Sequence, residues 1–250
     1  MTDNIKPDLK DDKERVDQAV EMFAQRDFKT ATPWRRLIFS LRLIAWVLGI
    51  KFQSWLKRLL DISVSLAALM ILSPVFLVTA VAIKLDSPGP VFFRQTRVGK
   101  WGRLFGVFKF RSMYIDAEKR KAELMKANEA DGPVFKIRHD PRITRIGRII
   151  RKFSIDELPQ LINVLRGEMT LVGPRPPLPK EVAQYEYHQR RRLDSEQGIT
   201  GLQQVSGRSD LNFEQWVAYD IEYIERQSFW FDIKILMKTI PAVLTGKGAY

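Results

Sequence analysis

The chain has no cysteine and only two histidines, His139 and His188. Without cysteine there is no disulfide framework and no zinc site with sulfur ligands, and two histidines are too few for a histidine-rich metal centre. A Ser–His–Asp catalytic triad is not credible for the same reason, since it needs a histidine. A phosphate-binding loop of the Walker type is also missing, because Gly246-Lys247-Gly248 is only a fragment of that pattern. The Asp-x-Asp metal pair is absent as well, so most familiar nucleotide and metal sites are excluded.

Positive charge is in excess: 41 lysines and arginines stand against 29 aspartates and glutamates, and the formal net charge is +12. This excess favours polyanionic partners such as anionic lipid headgroups and phosphorylated small molecules. The 250 residues suffice for one domain with an anchor or for two small domains. Residues 1–33 mix acidic and basic side chains and have no apolar core, so we expect a charged tail with a short helix rather than a secretory signal.

The next region, residues 34–60, begins with the aromatic and basic sequence WRRLIFSLRLIAWVLGI. Arg42 lies near its middle and disfavours a helix that spans a bilayer. Cationic and aromatic residues beside aliphatic ones are typical of a helix lying in the lipid interface. We assign 34–60 to interfacial amphipathic helices, and a buried amphipathic helix is the alternative.

Residues 61–85 contain an uncharged run from Ile62 to Ile83, which is long enough to cross a bilayer core. Ser73-Pro74 lies at its centre, where proline removes a hydrogen-bond donor and should kink the helix. Both flanks are basic, and the positive-inside rule places both in the cytoplasm. We therefore predict a re-entrant membrane helix with Ser73 and Pro74 as its hinge. A kinked helix that crosses the membrane is the alternative.

Residues 86–250 are expected to form one domain outside the lipid. Val91-Phe92-Phe93 and Leu104–Phe110 have strand composition and flank the turn Gly99-Lys100-Trp101-Gly102, which predicts a hairpin. Helical patterns cover 114–129, 143–153, 158–165, 179–194, 212–226 and 231–244. The predicted fold class is α+β and mostly helical, with a re-entrant membrane helix, a small β-hairpin and interfacial helices.

One acidic pair, Asp156 and Glu157, has the best prospects for chemistry. Pro159 fits best in the first turn of a helix, so the pair lies at a predicted helix N-terminus with Ser154 or Asp156 as the cap. Such a position favours anions and would keep a carboxylate ionised as a nucleophile. Two adjacent carboxylates also repel each other, which can raise one pKa and separate their roles. A simple capping pair is the alternative.

Several cations that could bind phosphate accompany the pair. Arg151 precedes it on a predicted helix, and Arg175 follows in the proline-rich loop 173–177. Lys109 and Arg111 lie at the end of the second predicted strand. The planar guanidinium suits phosphate oxygens, although each of these residues taken alone is also explained as an ordinary surface charge.

Taken in order, the motifs closely resemble the bacterial sugar transferases, in particular the monotopic polyprenyl-phosphate phosphosugar transferases. The resemblance runs from Lys57 to about Thr245, and residues 1–50 lie outside it. Several motifs in one order are far more specific than any single match. They are Lys57-Arg58, Ser73-Pro74, Pro88-Gly89-Pro90-Val91, Gln95-x-Arg97-x-Gly99, Phe108–Met113, Asp140-Pro141-Arg142-x-Thr144, Asp156–Gln160, Gly173–Pro176, Gly198–Gly201 and Val205-x-Gly207-Arg208.

The resemblance implies transfer of a sugar 1-phosphate from a UDP-sugar to undecaprenyl phosphate. Asp156 would attack the β-phosphate, release UMP and hold the phosphosugar covalently, with Glu157 as its partner. Mg²⁺ would bind near Asp156, while Arg151 and Arg175 would hold phosphate groups. The enzyme would lie in the bacterial inner membrane with its catalytic domain, residues 86–250, on the cytoplasmic face. It would act in the first membrane step of surface polysaccharide or glycoconjugate synthesis.

Two other functions explain parts of the sequence. A membrane-tethered module that binds nucleic acid or anionic lipid would use the basic charge. The proline- and arginine-containing motifs around one acidic pair argue against it, and we expect no nucleic acid partner. A structural partner in a membrane assembly would leave Asp156 as a helix cap. The identity of the sugar stays open at this stage, as does assembly into a homo-oligomer.

Overall fold

A computed structural model describes residues 32–124, 128–129, 132–135, 137, 139–207 and 211–246. The short helix predicted in the charged tail lies outside the described residues. By its internal contacts the chain divides into two units, Met1–Trp55 and Leu56–Tyr250. The second unit contains all the motifs on which the family resemblance rests.

Helix α1, Pro33–Ile71, is continuous over 39 residues. Its large apolar side chains in the first unit are exposed, including Trp34 at 69%, Trp46 at 65% and Phe52 at 61%. Within the described part of the chain, α1 is the one helix that is long and apolar enough to cross a membrane, judged by length and composition only. It continues across residues 60 and 61, where we separated interfacial from re-entrant segments, and that division stays a prediction.

The helix is interrupted where the sequence predicts it. α1 ends at Ile71, and α2 runs from Ser73 to Asp86 with Pro74 in its first turn. Proline cannot donate to the carbonyl four residues earlier, and the Ser73 hydroxyl donates to that carbonyl, Met70 O, at 2.8 Å. The predicted kink position is therefore confirmed as a helix break, while the re-entrant path stays a prediction.

The predicted hairpin is confirmed. β1 (Phe92–Val98) and β2 (Leu104–Phe110) are antiparallel, with Phe93 opposite Lys109 and Arg97 opposite Phe105. Because alternate residues of a strand share a face, Arg97 and Lys109 lie on the same side of the hairpin.

A second, parallel sheet was missing from the sequence prediction. β3 (Thr170–Val172) pairs with β4 (Gly198–Thr200). Strands of three residues are too short to show a periodic pattern. A side chain at Gly173 would not fit, since its Cβ would lie 2.3 Å from the carbonyl oxygen of Glu196. This close approach fixes the loop that follows β3 and carries Arg175.

Most predicted helices of the second unit are present with shifted ends. The helices after the hairpin are α3 (Ala117–Glu123), α4 (Arg145–Lys152), α5 (Gln160–Leu165), α6 (Pro179–Val182), α7 (Leu202–Ser206), α8 (Phe213–Arg226) and α9 (Phe229–Thr245). Among the described residues, the helix predicted over 114–129 is confined to α3.

The single helix predicted over 179–194 is wrong. The segment forms α6 and then a 3₁₀ helix, His188–Leu193. Between them Tyr185 turns inward and packs with Phe213 and Val217 in a buried cluster. The burial of this aromatic ring therefore outweighs helix propensity in this segment.

The main core joins β2, α5, β3, α8 and α9. Its buried members are Phe105, Val107, Leu161, Val164, Met169, Leu171, Val172, Leu202, Tyr223 and Ile235. Asn163 of α5 links this core to the hairpin, because its Oδ1 accepts from Phe108 N at 3.0 Å and its Nδ2 donates to Gly106 O at 2.8 Å. The start of α5 is thus held against the strand that carries Lys109.

Polar residues of α1 in the second unit anchor it to the core. Lys57 Nζ donates to Asp232 Oδ2 at 2.5 Å and to Val172 O at 3.0 Å. The buried Asp61 carboxylate accepts from Thr170 Oγ1 at 2.7 Å and from Leu171 N at 2.9 Å. Lys57 and Asp61 therefore both hold β3.

Candidate active site

The acidic pair lies in a tight turn between two helices. Thr144 caps α4, accepting from Gly147 N at 2.9 Å. After α4, Ser154 adopts a left-handed conformation with φ 54°, and residues Ile155–Glu157 form a 3₁₀ turn. The prediction that Ser154 or Asp156 caps the next helix is wrong, because Pro159 occupies the N-cap position of α5 and Ser154 makes no capping hydrogen bond.

Glu157 is paired with two cations. Its Oε1 accepts from Lys109 Nζ at 2.8 Å and lies 3.2 Å from a terminal nitrogen of Arg175. Burial opposes ionisation of this carboxyl, but the charges of Lys109 and Arg175 outweigh burial and hold its pKa well below the usual range. Glu157 is therefore ionised across the physiological pH range.

Asp156 lies beside this pair in a different environment. It is 9% exposed, and no described residue donates a hydrogen bond to its carboxylate. Burial and then the charge of Glu157 raise the pKa of Asp156 to about 6, while Lys109, Arg151 and Arg175 act in the opposite direction. The two carboxyl groups differ in pKa mainly because burial acts on Asp156 and cations act on Glu157, and the repulsion of Glu157 adds to the first effect. Asp156 is mostly ionised at neutral pH and is free to bind something else.

A cleft of about 670 Å³ opens onto the dyad. Lys109, Arg151 and Arg175, all predicted as phosphate-binding residues, line it together with Asp156 and Glu157. Arg151 forms no side-chain hydrogen bond or ion pair with the residues that the structure describes. Its charge acts on Asp156 and Asp140, and its phosphate-binding role stays a prediction.

Arg97 also lines the cleft, and our site prediction omitted it. It donates to Pro176 O at 2.9 Å and to Gln95 Oε1 at 2.7 Å, so it supports the loop that carries Arg175. Burial and the nearby charge of Arg175 lower the pKa of Arg97 to about 10. Its position on the same hairpin face as Lys109 was the signal available in the sequence.

Arg111 has a different environment from the other predicted phosphate ligands. Its two terminal nitrogens donate to Pro88 O at 2.6 Å and to Ser87 O at 2.8 Å. The side chain is buried and holds the turn that follows α2. A phosphate-binding role for Arg111 stays a prediction.

Around the dyad the cleft has the charge of a phosphate-binding site. Four of the cations that line it, Arg97, Lys109, Arg151 and Arg175, act on one or both carboxylates of the dyad. A positive excess therefore remains when both carboxylates are ionised, and two phosphate groups would offset it.

Comparison with known proteins identifies the class. Residues 52–246 match the description of the bacterial sugar transferase family. The chain is 48% identical over 194 residues to the galactosyl transferase CpsE of Streptococcus agalactiae, covering 77% of this chain and 43% of that protein. It is 39% identical over 198 residues to the exopolysaccharide production protein ExoY of Sinorhizobium fredii, covering 78% and 88% respectively. The chain belongs to the bacterial sugar transferase family, as its motifs indicated.

A third relative has a more specific name. The chain is 42% identical over 207 residues to the UDP-glucose:undecaprenyl-phosphate glucose-1-phosphate transferase of Caulobacter vibrioides, covering 78% of this chain and 72% of that protein. Since 43% of CpsE is covered, the chain spans less than half the length of that relative.

Proposed function

We propose that this protein transfers a sugar 1-phosphate from a UDP-sugar to undecaprenyl phosphate and releases UMP. The observation that carries the proposal is the contrast within the dyad. Glu157 is saturated by cations, whereas Asp156 next to it has no partner among the described residues and lies in a cation-lined cleft. Relatives named for undecaprenyl-phosphate transfer support the substrate classes.

In the first step the Asp156 carboxylate attacks the β-phosphorus of the UDP-sugar. A bond forms between an Asp156 oxygen and phosphorus as the bond from phosphorus to the α,β-bridging oxygen breaks. UMP leaves with that oxygen, and the sugar phosphate stays on Asp156. Arg151 and Arg175 contribute positive charge where negative charge develops, and positioning supplies most of the remaining catalysis.

In the second step a phosphate oxygen of undecaprenyl phosphate attacks the same phosphorus. The Asp156–phosphorus bond breaks, the carboxylate is regenerated, and a lipid-linked sugar diphosphate is released. Glu157 does not take part in bond making. It holds Lys109 and Arg175 in place through its own charge, and its ionised state keeps these two cations from pairing with Asp156.

We propose that a Mg²⁺ ion binds at this site, with Asp156 and the substrate phosphates as its ligands. No group of three Asp, Glu or His side chains converges in the described part of the chain. Mg²⁺ is often held by one or two carboxylates together with phosphate oxygens and water, and Asp156 provides such a carboxylate. When bound, the ion would offset charge on the reacting phosphate.

The lipid acceptor gives the apolar helices a function. We infer that residues 34–60 lie in the lipid interface and that residues 61–85 enter the membrane and return at Ser73 and Pro74. Residues 86–250 then form the catalytic domain on the cytoplasmic face of the bacterial inner membrane. The exposed tryptophans of α1 and its basic residues support an interfacial position.

Covalent catalysis can be tested with UDP-sugar labelled in the β-phosphate. The purified full chain, incubated without lipid acceptor, should retain the label, and undecaprenyl phosphate should then remove it as a lipid product. The Asp156→Asn variant should retain none. An Asp156→Asn protein that folds and keeps full turnover would refute the covalent step.

The membrane path has a separate test. Labelling with a membrane-impermeant reagent should find residues introduced next to Met1 and next to Tyr250 on the same side. Opposite sides would contradict the re-entrant path, and Pro74→Leu should favour a straight crossing.

A further inference from the structure

The cleft has a second wall that lies apart from the dyad in the sequence. We call this the distal wall, and it consists of Glu181, Tyr185, Arg192 and Trp216, all of which line the cleft. Glu181 belongs to α6 and Trp216 to α8, while Tyr185 and Arg192 lie between them. The wall combines a carboxylate, a phenol and an indole ring.

The charged neighbours of Asp156 and those of Glu181 overlap at one residue. Asp156 is influenced chiefly by Glu157, Lys109, Arg151 and Arg175. Glu181 instead acts on Arg97, Arg175, Tyr185 and Arg192. Arg175 is common to both sets. Arg175 contacts Glu157 at 3.2 Å, and Leu178, three residues further along the same loop, donates to Glu181, so this loop connects the dyad with the distal wall.

The geometry of phosphoryl transfer decides what lies on each side of the reacting phosphorus. The following inference rests on the proposed function. Attacking and leaving oxygens are roughly in line in such reactions. If Asp156 attacks from one side, the leaving nucleoside monophosphate extends to the other side. Its phosphate then meets the cations Arg175 and Arg97, and its nucleoside reaches the distal wall.

We propose that the distal wall binds the nucleoside of the donor, with Glu181 accepting hydrogen bonds from the ribose hydroxyls and the half-buried Trp216 ring contacting the base. Glu181 Oε2 accepts from Leu178 N at 2.8 Å, while Oε1 has no hydrogen bond to a described residue. A carboxylate is a common partner of ribose hydroxyls in nucleotide sites. An aromatic side chain in the same wall provides a stacking surface that every base can use.

Tyr185 is 5% exposed, so its ring is not a stacking surface, and its contribution to the wall is its hydroxyl group. Its hydroxyl oxygen accepts from an Arg192 terminal nitrogen at 2.8 Å, and Arg192 is fixed by the buried Asp220 at 2.7 Å. A hydroxyl that accepts one hydrogen bond still has its own proton to donate. Burial raises the pKa of Tyr185 to about 12, which keeps that proton on the oxygen at physiological pH.

The test is equilibrium binding of UMP to the purified full chain, compared between wild type and Glu181→Gln. Glutamine keeps an acceptor for Leu178 N but loses the charge, so UMP affinity should fall about tenfold. The control is Glu186→Gln, which changes an exposed carboxylate five residues along the same segment, 75% exposed in its side chain. It should bind UMP like the wild type.

A second ligand separates ribose recognition from a general effect of charge. 2′-Deoxy-UMP should bind the wild type more weakly than UMP does, and Glu181→Gln should show a smaller difference between the two ligands. Equal UMP binding by wild type and Glu181→Gln would overturn the proposal. So would a Glu181→Gln variant that changes only the preference among UDP-sugars, because that result would place the sugar at the distal wall.

UMP binding does not require the covalent step, so the two proposals can fail separately. If Asp156→Asn keeps full turnover, the covalent intermediate is refuted whatever Glu181→Gln does. If the label stays on Asp156 but UMP binding ignores Glu181, only the assignment of the distal wall fails.

Discussion

Two largely buried lysine–carboxylate pairs occur among the residues that the structure describes, and they differ in what surrounds them. Lys57 and Asp232 are 2.5 Å apart, and Lys109 and Glu157 are 2.8 Å apart. In the first pair the remaining groups are satisfied: Tyr223 donates to Asp232 Oδ1 at 2.8 Å, and Lys57 also reaches the carbonyl of Val172. The second pair faces the cleft and has a carboxylate without a partner among the described residues beside it, Asp156.

On the proposed function, the contrast separates a structural ion pair from one that serves the active site. A buried pair whose hydrogen bonds are complete fixes the packing of the elements that it joins. A buried pair next to a carboxylate with no partner maintains an electrostatic imbalance, and a charged ligand can relieve that imbalance. Distance alone would rank the two pairs as equivalent.

The largest expected effect is the loss of turnover in Asp156→Asn. We expect a decrease in kcat of at least about 10³-fold, because the variant lacks the nucleophile. UMP release from UDP-sugar in the presence of undecaprenyl phosphate measures it. Asp116→Asn is the control, since the Asp116 side chain is 46% exposed and pairs with Arg120.

Removal of one partner of the structural pair should cost stability instead. Lys57→Met leaves the buried Asp232 carboxylate without its cation, which costs about 3–5 kcal/mol. The measurement is the thermal unfolding of the full chain in detergent. Lys109→Met should cost less, since Glu157 keeps Arg175. Equal losses of stability in Lys57→Met and Lys109→Met would contradict this difference between the two ion pairs.

The same Asp156→Asn change should stabilise the fold at neutral pH. Asp156 has a raised pKa, so the folded chain holds its proton more tightly than the unfolded chain does, and stability is lost as the pH rises through about 6. Asparagine removes this cost, and the gain should be about 1–3 kcal/mol at pH 7.

That gain should shrink towards pH 4 and vanish near pH 3, where Asp156 is mostly neutral in both states. Glu157→Gln is the counterpart of opposite sign. The lowered pKa of Glu157 contributes stability above the ordinary pKa of a glutamate, and that contribution is lost as the pH falls. Unfolding curves at pH 4 and pH 7 distinguish the two residues.

The smallest expected effect is a shift of the pH profile in Lys109→Met. kcat/KM should rise with the ionisation of Asp156 near pH 6 in the wild type. Lys109 lowers the pKa of Asp156, so its removal should move this rise to higher pH by about one unit. Lys100→Met, in the hairpin turn, should leave the midpoint unchanged.

Much of the site could be predicted because its signals are local. The hairpin, the break at Ser73-Pro74 and the acidic pair each depend on neighbouring residues. β3 and β4 could not be predicted, since their pairing joins segments far apart in the sequence and each is very short. The left-handed Ser154 is also hidden, as nothing in its type requires a positive φ.

Arg97 and Arg111 show the limit for individual side chains. Both are arginines at the end of a strand, and the sequence favoured Arg111 as a phosphate ligand. Both guanidinium groups donate hydrogen bonds to backbone carbonyls. Only Arg97 is close enough to Arg175 for the charge of Arg175 to lower the pKa of Arg97. Both arginines line the cleft, and which of them acts on the dyad depends on tertiary packing that no local pattern encodes.

Arg58 joins α1 to the end of α5, the helix that follows the dyad. Its guanidinium donates to the carbonyls of Val164 at 2.6 Å and Leu165 at 2.9 Å, at the end of α5. A six-residue helix is about 9 Å long, and the dyad turn lies just beyond its other end. On the membrane path proposed above, α1 lies at the headgroups, and the contact between Arg58 and α5 then fixes the distance between the lipid and Asp156. The carrier phosphate would meet Asp156 at that distance whatever the thickness of the bilayer.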